Sequence, residues 1–158
     1  MEYKNAATYW IAALFVIGNI ALPQLCHLVP SGGPMLLPIY FFTLVAAYKY
    51  GWKVGLLTAV LSPLVNSALF AMPAPALLPA ILTKSLLLAA AAGFAARKFR
   101  RVSLLLLLGV VLFYQVIGSA AEWGLTGSLA AALQDFRIGI PGMLLQILGG
   151  YLFIKYLK

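Results

Sequence analysis

Val102-Ser-Leu-Leu-Leu-Leu-Leu-Gly-Val-Val-Leu-Phe-Tyr-Gln-Val-Ile-Gly-Ser-Ala-Ala121 is an uncharged run that is entered from Arg100-Arg101 and left at Glu122. Its length is that of the ~20 mostly apolar residues an α-helix needs to cross a bilayer. Apolar runs at roughly 8–26, 34–48, 54–71, 76–96 and 138–156 repeat the pattern on both sides of it. The expected fold is an all-α integral membrane protein of about six transmembrane helices, forming one transmembrane domain over residues 1–158. The second and third runs are short for full spans. Tilt, snorkelling lysines or a partner would accommodate them, and the alternative is a single re-entrant hairpin.

Composition excludes a packed aqueous globule. Apolar residues make up 64% of the chain and charged residues 9%, against roughly 25% charged in an ordinary soluble domain. Six spans would consume ~120 positions, which leaves no room for a soluble domain. A net charge of +8 would point to nucleic acid in a soluble protein. Here the basic residues stand at the ends of apolar runs, so they orient the chain and no nucleic-acid partner is expected; the surroundings are lipid. Cys26 is the one cysteine and reads as a small buried side chain. The run after Met1–Asn5 is too long for a signal h-region and reads as a retained first helix.

Lys4, Lys49, Lys53, Arg97, Lys98, Arg100, Arg101, Lys155 and Lys158 hold nine of the eleven lysines and arginines. With six spans they all fall on one side, which the positive-inside rule makes the cytoplasm, with both termini there. The opposite loops, 27–33, 72–75 and 122–137, contain only Arg137 as a basic residue. An odd number of spans would scatter this order. The longest of these loops, 122–137, has room for a short interfacial helix over 127–136 that could cap a site, with Trp123 at the headgroups.

Prolines sort to the outer side. Pro23, Pro30, Pro34, Pro38, Pro73, Pro75, Pro79 and Pro141 belong to outer loops or outer helix halves, and Pro63 lies near mid-membrane. Prolines favour first helical turns and loops, which leaves Pro38 and Pro63 unexplained. Irregular backbone at membrane depth is tolerated where protein or a water-filled cavity covers it, so a cavity is expected in the outer half. Asn66, Lys84, Gln115 and Gln146 lie inside apolar runs at that same depth, with Glu122 at the end of one and with Gln24, Tyr40 and Tyr114 alongside. A single Asn or Gln is ordinary interhelical glue worth ~0.6 kcal/mol. Five such groups at one depth point to a shared polar pocket. An ionisable residue in a span needs a cavity or a partner. Lys84 is therefore the central candidate, with Glu122 or a substrate anion as its partner.

His27 lies beside Cys26, but no second histidine or cysteine supplies ligand spacing, so no metal and no cofactor is expected. The nucleophile-elbow and zinc-protease motifs are missing, which argues against an enzyme. A phosphate-binding Gly-x4-Gly-Lys-Ser/Thr loop is missing too, so energy from ATP must come through another subunit. Close helix approach is expected at small residues, among them Gly51 with Gly55 and Ala89 with Gly93.

The segment Ser31-Gly-Gly-Pro-Met-Leu-Leu-Pro-Ile-Tyr-Phe-Phe42, followed by Tyr50-Gly51, Gly55, Ser62-Pro63-Leu64, Asn66 and Phe70-Ala-Met-Pro73, resembles the substrate-binding S component of energy-coupling factor (ECF) transporters. The resemblance covers about residues 20–100 and extends beyond them by topology alone. It implies a subunit of a prokaryotic cytoplasmic membrane that captures a small-molecule micronutrient, such as a vitamin, from outside. Its partners would be an ECF T component and two ATPase subunits. Some members present alanines four apart on the first helix to the T component; Ala12, Ala13 and Ala21 here are not so spaced. The alternative reading is a self-sufficient small permease or channel.

The substrate-binding residues expected from these considerations are Tyr40, Asn66, Lys84, Gln115, Glu122, Gln146 and Arg137. Lys84 and Arg137 favour anionic or carbonyl oxygens on the substrate. Tyr40, Tyr114, Trp123 and Phe70 would suit a flat ring by stacking.

Overall fold

A computed structural model describes residues 5–157. Lys4 and Lys158, counted above among the basic residues, lie outside them. The described residues contain helices and no strand. Helices α1 (Ala6–Cys26), α4 (Trp52–Phe70), α5 (Leu78–Phe99) and α6 (Leu104–Thr126) are long and apolar enough to cross a membrane. Their bounds agree with the apolar runs to within a few residues. The largest departure is the end of α6. No residue before Gly127 takes left-handed backbone there, and Gly127, at φ +67°, closes the helix by donating its N–H to the Trp123 carbonyl. Glu122 therefore lies inside a helix, on one face with Gln115, Gly118 and Ser119.

The exposed and buried faces have the polarity suited to lipid. Trp10 and Leu105 are each 77% exposed, and Leu144, Leu148 and Leu152 form an exposed row at every fourth residue of the last helix. Thr8, Asn19, Thr43, Thr58, Ser62, Asn66, Lys84, Ser85, Gln115 and Gln146 are all buried. In water this arrangement would cost burial free energy on both counts. In a bilayer the apolar surface is free to face the tails, and the polar groups are better off inside.

The second apolar run is not one helix. It divides into α2 (Gly32–Leu36), a 3₁₀ turn (Pro38–Tyr40) and α3 (Phe41–Tyr50). Leu37, with left-handed backbone at φ +47°, makes the break, and Pro38, which cannot continue an α-helix bonding pattern, starts the next turn. At ten residues α3 is about 15 Å long, half a bilayer core. It is tolerated because it is the central helix, packed by α1, α4, α5 and the last helix, with Leu44, Val45, Ala46 and Ala47 fully buried. Gly55 allows the close crossing of α4, since a β-carbon there would lie 2.3 Å from that of Ala47. The third run, by contrast, is one continuous helix of 19 residues, long and apolar enough to cross a membrane by itself. The last helix, α9 (Ile140–Tyr156), is 17 residues at most and contains a π-helical stretch over Leu145–Gly149.

One end of the bundle gathers the basic segments. Tyr48 donates its hydroxyl to the Arg101 carbonyl at 2.6 Å. Lys49 donates to the carbonyls of Ile154, at 3.2 Å, and Leu157. The end of α3, the α5–α6 connection and the end of α9 are thereby tied together.

Candidate functional site

The opposite end holds the cavity. It has a volume of about 500 Å³ between the C-terminal turns of α1 and α4, the broken segment around Pro38, the first turns of α5 and the C-terminal part of α6. Two short helices, α7 (Leu129–Ala132) and α8 (Gln134–Ile138), cover it from the 122–137 loop. Ser128 starts the first of these by accepting the Ala131 N–H at 3.2 Å. The expected interfacial helix over 127–136 is thus two short helices meeting at Leu133.

Lys84 stands in the wall, 3% exposed. Its Nζ lies 2.6 Å from Glu122 Oε2 and 2.9 Å from Asp135 Oδ2. Both are ion pairs, and the contact with Asp135 is also a hydrogen bond. Gly118 makes room for the lysine stem, because a β-carbon at that position would lie 2.5 Å from Lys84 Cγ. A lysine taken out of water needs compensation of this kind, which two carboxylates supply. Glu122 is the partner the sequence singled out, but it is not the only acid at that depth. Asp135 carries no such signal in the sequence, because its approach depends on the fold of the cap and on no periodicity within a span.

The other expected residues divide. Tyr40 and Asn66 line the cavity with Lys84 and Glu122. Asn66 is 1% exposed and accepts a hydrogen bond at Oδ1 from Gln24 Nε2 at 3.3 Å. Gln115 and Gln146 are buried deeper and do not line it. They bracket Tyr114, whose hydroxyl donates to Gln146 Oε1 at 2.8 Å and accepts from Gln115 Nε2 at 3.0 Å. The Tyr114 ring meets that of Tyr40 at 5.4 Å between centroids, which makes this polar group the layer behind the cavity wall. Arg137 is exposed and borders an adjoining depression with Gln134 and Ile138. Of the aromatic residues expected to stack on a ring, only Tyr40 lines the cavity; Trp123 and Phe70 are exposed elsewhere.

His27 lines the mouth, its ring over Gly33, where a β-carbon would lie 2.7 Å from Cε1. Asn19 is a structural residue that sequence reasoning passed over. It donates to Thr43 Oγ1 at 3.0 Å and Ser62 Oγ at 3.1 Å, and its Oδ1 accepts the Phe42 N–H at 3.1 Å. It thus satisfies a first-turn backbone donor of α3 where the preceding break leaves it without a helical acceptor.

The arrangement is a capped, largely apolar chamber with a few convergent polar groups, the usual form of a small-molecule site. Compared with known proteins, the chain matches no family model, no curated protein and no solved structure.

Proposed function

We propose that this protein is the substrate-binding S component of an ECF transporter, capturing a vitamin or related micronutrient at the outer face of a prokaryotic cytoplasmic membrane. In this reading six segments pass through the membrane, with both termini and the basic connections inside. The observation that carries it is the capped cavity of about 500 Å³ at the end of the bundle remote from the basic segments. A chamber of that size suits a molecule of vitamin dimensions. Its opening on the end opposite the positive charges suits capture from outside. The sequence features of the resembling segment coincide with the broken second run and the α4 end, both of which contribute to the wall.

Partners separate this reading from a self-sufficient permease or channel. Expressed with its native T component and ATPase subunits, the chain is expected to copurify with them and to support ATP-dependent uptake. Sustained uptake against a gradient by the chain alone in liposomes would overturn the proposal in favour of the permease.

A further inference from the structure

We propose that the ligand of the capped cavity carries a protonated nitrogen, received by the carboxylates of Asp135 and Glu122. This inference rests on the cavity being the capture site. The sequence favoured anionic or carbonyl oxygens because Lys84 was the central charge. The structure sets two carboxylates against that single ammonium, a formal sum of minus one. His27 is at the mouth, and Arg137 borders an adjoining depression without lining the cavity, so Lys84 is the one cation paired with the two acids among the described residues. A bound anion would raise the local negative charge further in a site where few compensating groups are within reach. A bound cation brings the sum to zero.

Hydrogen-bond capacity points the same way. Lys84 is shared between Glu122 Oε2, at 2.6 Å, and Asp135 Oδ2, at 2.9 Å, so one ammonium serves two carboxylates, which between them have more acceptor sites than it has donors. An ammonium or amidinium supplies donors for the remaining acceptor sites of the two carboxylates; a carboxylate supplies none. Asp135 sits on the short cap helix α8, so a cation reaching it also holds the cap onto the chamber. The remaining wall, including Pro23, Pro38, Ile39 and Leu77 with the Tyr40 ring, suits an apolar or flat body behind the charged nitrogen.

The test uses the full-length protein in nanodiscs and three probes of nearly one shape: benzamidine, benzamide and benzoate. Affinity is read by thermal shift and calorimetry at millimolar probe. Benzamidine is expected to bind about tenfold or more tighter than benzoate, the scale of a charge-assisted hydrogen bond, with benzamide between. Asp135→Asn and Glu122→Gln should each narrow that ratio, whereas Lys84→Met should keep or strengthen benzamidine binding. The wild-type ranking decides even where a variant fails to fold. Preference for benzoate that Lys84→Met abolishes, equal affinity for all three, or no binding of any of them overturns the inference. Copurification with ATPase subunits is scored separately. Preference for benzoate with that complex intact would remove the cation selectivity and leave the capture reading standing.

Discussion

Asp135 Oδ2 accepts a hydrogen bond from Lys84 Nζ at 2.9 Å, joining a five-residue helix of the α6–α9 connection to the wall of the bundle. Helices as short as α7 and α8 have almost no stability of their own. Their position therefore depends on such tertiary contacts.

Asp135→Asn should loosen the cap without unfolding the protein. The lost charge-assisted bond is worth about 1.5–3 kcal/mol. Amide exchange across 129–138 should rise by one to two orders of magnitude, as about that free energy implies for local opening. Exchange in α3 and α4 should stay unchanged. Equal protection of the cap in the variant would show that apolar contacts alone hold it.

Lys84→Met leaves two carboxylates facing each other without their cation. Removing one partner of a buried ion pair costs about 3–5 kcal/mol. The thermal midpoint in detergent should fall by many degrees, and the triple variant Lys84→Met/Glu122→Gln/Asp135→Asn should recover most of the loss. A single variant as stable as the parent would mean that the lysine's charge is not needed to compensate the acids.

The long helices were legible because a membrane span is written in composition alone: about twenty apolar residues between charged ends. The second run was not, although Pro34 and Pro38 marked it as irregular, because the same residues suit either a tilted span or a broken one. Leu37, at φ +47°, carries no turn signature of its own. Gln115 and Gln146 are fully buried, as polar side chains inside apolar runs should be. Depth does not determine which way a side chain points, and both face Tyr114 away from the cavity lining. Asp135 could not be placed, since nothing in a polar loop specifies how it folds back.

Asn19 shows the same limit, lying in an apolar run where one amide looks incidental. Asn19→Ala should deprive the Phe42 N–H of its acceptor and two hydroxyls of their donor. An unsatisfied buried group costs about 1–3 kcal/mol. The expected result is a clear loss of thermal stability, with exchange increased in the first turn of α3. Unchanged exchange at Phe42 would show that another acceptor replaces the amide.

Topology is open to a direct measurement. In a Cys26→Ser background, cysteines at positions 99 and 128 should react with a membrane-impermeant maleimide from opposite faces, position 128 from outside. Labelling of both from the same face is the result that six spans with inside termini do not allow.

Two glycines of one helix give the sharpest test of how the lysine is seated. Gly109 and Gly118 both lie in α6, and a β-carbon at Gly109 has no atom within 4 Å. Gly109→Ala should therefore be neutral or stabilising by up to about 1 kcal/mol, the helix-propensity gain. At Gly118 the new carbon would fall 2.5 Å from Lys84 Cγ. The lysine stem has little freedom to retreat, being fixed to α5 at one end and facing Glu122 and Asp135 at the other. Gly118→Ala should cost about 1–3 kcal/mol by overpacking, and the larger part of that cost should vanish when Lys84 is replaced by alanine alongside neutralised Glu122 and Asp135. Equal thermal midpoints for the two single variants would mean that the lysine stem moves aside freely and that the glycine does not hold its place.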